Sequence, residues 1–112
     1  MAADCLFCSI VAGDVPATIR RQDEQTMTFA DLNPQAPTHV LVIPRVHYPD
    51  LAALCADTEA SIAVVRAVAA SADELGLTDY RTVFNTGAEA GQSVFHVHAH
   101  VLGGRAMSWP PG

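Results

Sequence analysis

His96-Val97-His98-Ala99-His100-Val101-Leu102 alternates imidazole with small or β-branched apolar side chains. Alternation with a period of two marks a strand with one buried face. Read as a final strand over residues 95–102, it places all three histidines on one wall, with neighbouring imidazoles roughly 6.6 Å apart. Val97, Ala99 and Val101 then face the core. Three imidazoles on a sheet wall are costly to bury unless something hydrogen-bonds or ligates them. The plain alternative is a solvated face that happens to be rich in histidine. The remaining two histidines bracket a second strand, His39 at its start and His47 just beyond its end.

Working outward, residues 39–43 form a β-branched run stopped by Pro44, which predicts a largely buried strand. Residues 18–21 and 26–30 predict two short strands joined by a polar turn, and residues 81–85 a further strand. Residues 33–37 carry two prolines and must be a loop. Asp4 is placed to cap a short helix over residues 5–12 that ends at Gly13. Asp57 or Thr58 opens one long helix closed by Gly76, with Ile62, Val65, Val68, Ala69, Ala72 and Leu75 as its apolar face. Residues 86–93 are a glycine-containing loop. The expected architecture is α+β, a single domain over residues 1–112. About five antiparallel strands carry one long helix and a short N-terminal helix, with helical cover on one face.

The chain has 112 residues, of which 50% are hydrophobic and 16% charged, with a formal charge of −6. That composition excludes a disordered chain. All basic residues are scattered arginines, so the chain lacks the positive surface that grips a nucleic-acid backbone. The Ala/Val-rich stretch over residues 60–72 is too short, and with Glu59, Arg66, Asp73 and Glu74 too charged, to span a membrane. The N-terminus has no export-signal pattern, and three cysteines is an odd number for a disulfide framework, so the expected setting is cytoplasmic.

Two chemistries compete for a His-x-His-x-His strand. Neutral imidazole is a common metal ligand, and it is also a nucleophile that attacks phosphorus to form a phosphohistidine. The preceding Gly87-Ala88-Glu89-Ala90-Gly91-Gln92-Ser93 favours the second, because its small residues let backbone N–H groups approach an anion closely. Ser93 adds a hydroxyl and Asn85 an amide.

The triad resembles the His-φ-His-φ-His-φ-φ signature (φ apolar) of the histidine triad, or HIT, family. The likeness extends to Asp31-Leu32-Asn33-Pro34-Gln35-Ala36-Pro37-Thr38-His39-Val40-Leu41-Val42-Ile43-Pro44. Asn85, Gly91-Gln92-Ser93-Val94 and the ending Met107-Ser108-Trp109-Pro110-Pro111-Gly112 are similar to the Hint branch, the histidine-triad nucleotide-binding proteins. The resemblance covers nearly the whole chain from Cys5 onward. It implies a HIT-like fold and a hydrolase, a purine nucleoside phosphoramidase or nucleotidyl hydrolase acting at the α-phosphate. It implies His98 as nucleophile, His39 in proton transfer or positioning, and Asp31 as acceptor of the ribose hydroxyls. Asn85, Gly91, Gln92, Ser93 and His100 would meet the phosphate and leaving group. Leu32, with Leu6, Phe7, Ile10 and Phe29, would line a purine slot, although those apolar residues also suit an ordinary core. A turn-starting aspartate bonding its own backbone is the rival reading of Asp31. Dinucleoside polyphosphate hydrolysis of the Fhit type, and a nucleotide-sensing or scaffold role with incidental catalysis, are the alternatives. A metal-dependent hydrolase using the triad itself is a third.

Cys5-x-x-Cys8 departs from eukaryotic Hint proteins. Alone, the pair reads as a zinc half-site, a redox pair or two core thiols. Several bacterial-type HIT proteins look similar here, which implies structural zinc on Cys5, Cys8, His47 and His96, and no organic cofactor. Cys55 is expected to be a small buried hydrophobe. The resemblance further implies a homodimer, with the Trp109 tail crossing to a partner.

Overall fold

The computed structural model describes residues 4–112. Residues 1–3, which open the N-terminal stretch read for export signals, lie outside them. Strands β1 (Ile19–Gln22), β2 (Thr26–Ala30), β3 (Thr38–Pro44), β4 (Tyr80–Val83) and β5 (Ala99–Gly103) form one antiparallel sheet in the order β1-β2-β3-β5-β4. Helix α1 (Leu6–Ala12) precedes the sheet, while α2 (Leu51–Cys55) and α3 (Thr58–Glu74) lie between β3 and β4.

The period-two alternation of β3 divides the core. Val40 and Val42 pack with Val97, Ala99 and Val101 against Val64, Ala67 and Val68 of α3. Leu41 and Ile43 point the other way and pack with Met27 and Phe29 against Phe7 and Ile10 of α1. Helical cover therefore lies on both faces, where one was expected, because α1 is apolar enough to close part of the second. On that second face the register aligns Phe29 with Leu41, and Leu41 with His100, in one cross-strand row.

Several local expectations are corrected. The α1 cap is Cys5, whose sulfur accepts the Cys8 N–H at 3.4 Å, and not Asp4. Asp57 does cap α3, accepting the Ala60 N–H at 3.0 Å. However, α3 buries Val64, Ala67, Val68, Ser71 and Ala72, and leaves Ile62, Val65 and Ala69 exposed. The helix is apolar on most of its circumference, and the sheet selects the stripe whose small side chains permit close approach. Ser71 completes the choice through a 2.9 Å hydroxyl–hydroxyl bond to the fully buried Thr28.

Helix α2 was not anticipated; Asp50 caps it by accepting the Ala53 N–H at 2.9 Å. It carries Cys55 exposed, correcting the expectation of burial. The last strand is shorter than its alternation suggests, entering the ladder only at Ala99. Upstream of it, Val97 N–H donates to Tyr48 O at 2.7 Å, so residues 95–98 are held by the loop after β3. Among the described residues no helix is long and apolar enough to cross a membrane.

Candidate active site and Cys/His cluster

On the α1 face, Leu6, Phe7, Ile10, Val15, Pro16, Ala17 and Phe29 form the apolar side of a cleft of about 290 Å³. Asp31, Asn85, Gly91, Ser93, His98 and His100 form its polar end. Ile10 and Phe29 are both core and cleft wall, being 7% and 4% exposed. Leu32 belongs to the rim, with its side chain almost wholly in solvent. Val15, Pro16 and Ala17 escaped sequence reasoning; the only signal was their position just after the α1 stop at Gly13.

The triad histidines have three different surroundings. His98 Nδ1–H donates to the His96 carbonyl at 2.8 Å, and its ring meets the Phe7 ring edge-on at 5.1 Å. With the proton fixed on Nδ1, neutral His98 carries its lone pair on Nε2. His39 accepts the Gln35 N–H on Nδ1 at 3.0 Å, so its own proton sits on Nε2. That Nε2–H lies 2.9 Å from His100 Nδ1 and 3.3 Å from Asp31 Oδ2. His100 Nδ1 is thus the acceptor, which leaves His100 with a proton on Nε2. Two neighbouring rings, 5.0 Å apart, therefore carry opposite roles at Nε2: a lone pair on His98 and a donor on His100.

Burial, reinforced by the charges of His98 and His39 and opposed by Asp31, pushes the His100 pKa down to about 4. Burial also lowers that of His39, again opposed by Asp31. His100 is thereby kept neutral at physiological pH, a directional donor and not a diffuse cation. The depression has a stability consequence. In the unfolded chain His100 takes its proton near 6.5, but in the fold only near 4. Between those values the unfolded chain holds the extra proton, so stability falls as pH drops from 6.5 towards 4 and levels off below. The His100 share is about 3 kcal/mol. Denaturant melts from neutral pH to pH 4, wild type against His100→Gln, should show a shallower acid slope in the variant; equal slopes would refute the assignment.

Asp31 serves both readings offered for it. Oδ1 accepts the Asn33 N–H at 2.8 Å in a local turn, while Oδ2 faces the His39–His100 pair from the cleft. Asp31, His39 and His100 are close enough to suggest a metal triad. The Gln35 N–H forbids it: His39 cannot shed the Nε2 proton without losing that bond, so Nε2 has no lone pair to offer. His39 itself lies behind His100 and does not line the cleft. Gln92, expected at the phosphate, turns inward to brace the loop.

A second cluster lies beneath the triad. Cys5, Cys8, His47 and His96 present their donor atoms within 4.8 Å of one another. The His96 Nδ1 lies 3.4 Å from Cys5 Sγ, 3.6 Å from Cys8 Sγ and 3.3 Å from His47 Nδ1, with Cys8 Sγ to His47 Nδ1 at 3.5 Å. A tetrahedron with zinc–sulfur bonds near 2.3 Å and zinc–nitrogen bonds near 2.05 Å has S–N edges of about 3.6 Å and N–N edges of about 3.3 Å. The donor set fits. His96 Nε2–H donates to Pro44 O at 2.8 Å, which fixes its lone pair on Nδ1, facing the thiols. Burial holds the His96 pKa at about 4, so that nitrogen is unprotonated.

A five-stranded antiparallel sheet that brings His98 and His100 to an apolar cleft, with His96 buried among cysteines behind them, defines a class of small α+β proteins. The HIT domain family pattern matches residues 12–107, and the chain belongs to that family. It is 46% identical, over the full length of both chains, to an uncharacterized HIT-like protein of Synechocystis. It is 42% identical to a 14 kDa zinc-binding protein of Zea mays, covering 96% of this chain and 87% of the other. The crystal structure of a HIT family hydrolase from Legionella pneumophila superposes with a TM-score of 0.92 at 42% identity, covering 97% of this chain and 100% of that one.

Proposed function

We propose that the protein is a nucleotide-binding hydrolase that cleaves purine nucleoside 5′-phosphoramidates, or related esters, at the α-phosphate. The observation that carries this reading is the opposed pair at the polar end of the cleft, a lone pair on His98 Nε2 beside a donor on His100 Nε2. The apolar side takes the base, and Asp31 Oδ2, the oxygen not engaged by the Asn33 N–H, accepts from the ribose. His98 Nε2 attacks phosphorus and the P–N bond breaks, the nitrogen leaving with a proton from water and a hydrogen bond from Ser93. The ring then carries a positive charge, which the His96 carbonyl stabilises through Nδ1–H. His100 Nε2–H and main-chain N–H groups near Ser93 hold the phosphoryl oxygens. The hydroxide left by that proton transfer next attacks phosphorus, the P–Nε2 bond breaks, and the nucleoside monophosphate leaves with His98 restored neutral.

The test is covalent trapping. Protein quenched during turnover of adenosine 5′-phosphoramidate should carry one adenylyl group by intact mass, mapped to His98. A label on His100 or His39, or none under rapid quench, overturns the reading. A higher kcat/KM for diadenosine polyphosphates than for the phosphoramidate would move the protein to the alternative substrate class.

Zinc on Cys5, Cys8, His47 and His96 belongs to the same proposal, supported by the donor spacing and by the zinc-binding maize relative. When bound it supplies a cross-link between α1, the loop after β3 and the segment leading to β5, and it takes no part in the chemistry. A homodimer is the expected assembly, supported by the outward-facing Ile62 and Val65 of α3. Trp109, 82% exposed, does not pin the tail; Arg81 Nη2 does so by donating to Ser108 O at 2.9 Å.

A further inference from the structure

Gln92 is 4% exposed, between Gly91 and Ser93, which are both open to solvent. Its carboxamide is fully engaged. Oε1 accepts the Gly87 N–H at 2.9 Å, and Nε2 donates to Pro49 O at 2.8 Å and to Val94 O at 3.2 Å. Burying an amide is tolerable only when its groups are all bonded, and only the longest of these bonds, to the Val94 carbonyl, goes to a residue that lines the cleft. One end of the amide closes the loop of residues 87–94 on itself. The other end fastens that loop to Pro49, two residues beyond His47. The same stretch holds the approach to His98 a second time, where Tyr48 O accepts the Val97 N–H at 2.7 Å. Gly91 and Ser93, on either side of Gln92, line the polar end of the cleft.

We infer that Gln92 is a positioning residue: it ties the phosphate-facing loop to the His47-bearing loop and so fixes Gly91 and Ser93 where they meet the phosphoryl group at the polar end of the cleft. This rests on the reading of the cleft as a nucleotide site. It places the main effect of Gln92 on the phosphate, because its two shorter bonds go to Gly87 and Pro49, outside the cleft, and only the 3.2 Å bond to Val94 O reaches a residue beside the apolar side that takes the base.

Adenosine and AMP separate the two. Gln92→Glu keeps the acceptor for Gly87 N–H but turns an oxygen on the Pro49 and Val94 carbonyls; Gln92→Met keeps the length and removes every bond. Both variants should bind adenosine within about twofold of wild type and lose about tenfold in AMP affinity, with kcat for adenosine 5′-phosphoramidate falling ten- to a hundredfold and KM changing less. An unchanged ratio of AMP to adenosine affinity overturns the inference. So does a parallel loss of both ligands, which marks Gln92 as merely structural. A wild-type protein that binds AMP no better than adenosine overturns the nucleotide-site reading, and this inference with it.

Discussion

Replacing His98 with alanine should remove turnover, lowering kcat by at least about 10⁴-fold, while AMP affinity changes by less than about tenfold. The asymmetry follows from the division of labour in the cleft. In the proposed mode, ground-state binding draws on the apolar wall, Asp31 and the loop at Gly91 and Ser93, of which the substitution alters only the edge contact with Phe7. In the proposed mechanism the bond to phosphorus is made by one atom, and no neighbour can replace it: His100 Nε2 carries a proton because its Nδ1 receives the His39 donor, and His96 Nε2 is bonded to Pro44 O. His98→Gln sharpens the comparison, because an amide of similar reach fills the space beside Phe7 without supplying a nucleophile. Single-turnover assays at saturating phosphoramidate, with AMP titrated by calorimetry, provide the measurement. Retention of more than about one per cent of wild-type kcat in both variants would mean that water attacks directly. A purely sensing protein would instead keep its ligand response in both variants and show no turnover in wild type.

The parts of this site that sequence reveals are those fixed by side-chain pattern. The β-branched run of residues 39–43 marks a buried strand, the alternation of residues 97–101 marks another with its core face, and Asp57 and Gly76 mark the ends of α3. Donor roles were not legible, since they depend on the Gln35 N–H and the His96 carbonyl, main-chain groups present in any sequence. The family likeness of Gly91-Gln92-Ser93-Val94 implies Gln92 at the phosphate; only the fold shows that its side chain turns inward. Cys5 and Cys8 announce themselves by spacing, but pairing them with His47 and His96 needed the family likeness. The α3 face failed for a simpler reason. A helix rich in Ala and Val offers several stripes of similar apolarity, and its contacts with the sheet, down to the hydroxyl of Ser71, decide among them.

The second large effect concerns the cluster. Protein purified without chelator should carry one zinc per chain, and Cys8→Ala should carry less than a tenth of that and unfold far more readily. A ligand that binds only the folded chain stabilises it by RT ln(1 + [L]/Kd), about 4 kcal/mol at a thousandfold excess over Kd. For a domain of this size that corresponds to a Tm lower by roughly 15 °C. The domain retains its own cores around Val42 and Ile43, so the variant should still fold, unlike a zinc finger. Cys55→Ser, altering an exposed thiol outside the cluster, should leave both metal content and Tm unchanged. Activity separates a structural metal from a reacting one. Chelation at low temperature, where the apo chain remains folded, should leave covalent labelling of His98 intact, because the lone pair of His98 owes nothing to the metal. On heating, labelling should fail together with the fold. Immediate loss of labelling on chelation, with no loss of structure by circular dichroism, would instead put a metal at the reacting phosphate. It would also contradict the proton that the Gln35 N–H fixes on His39.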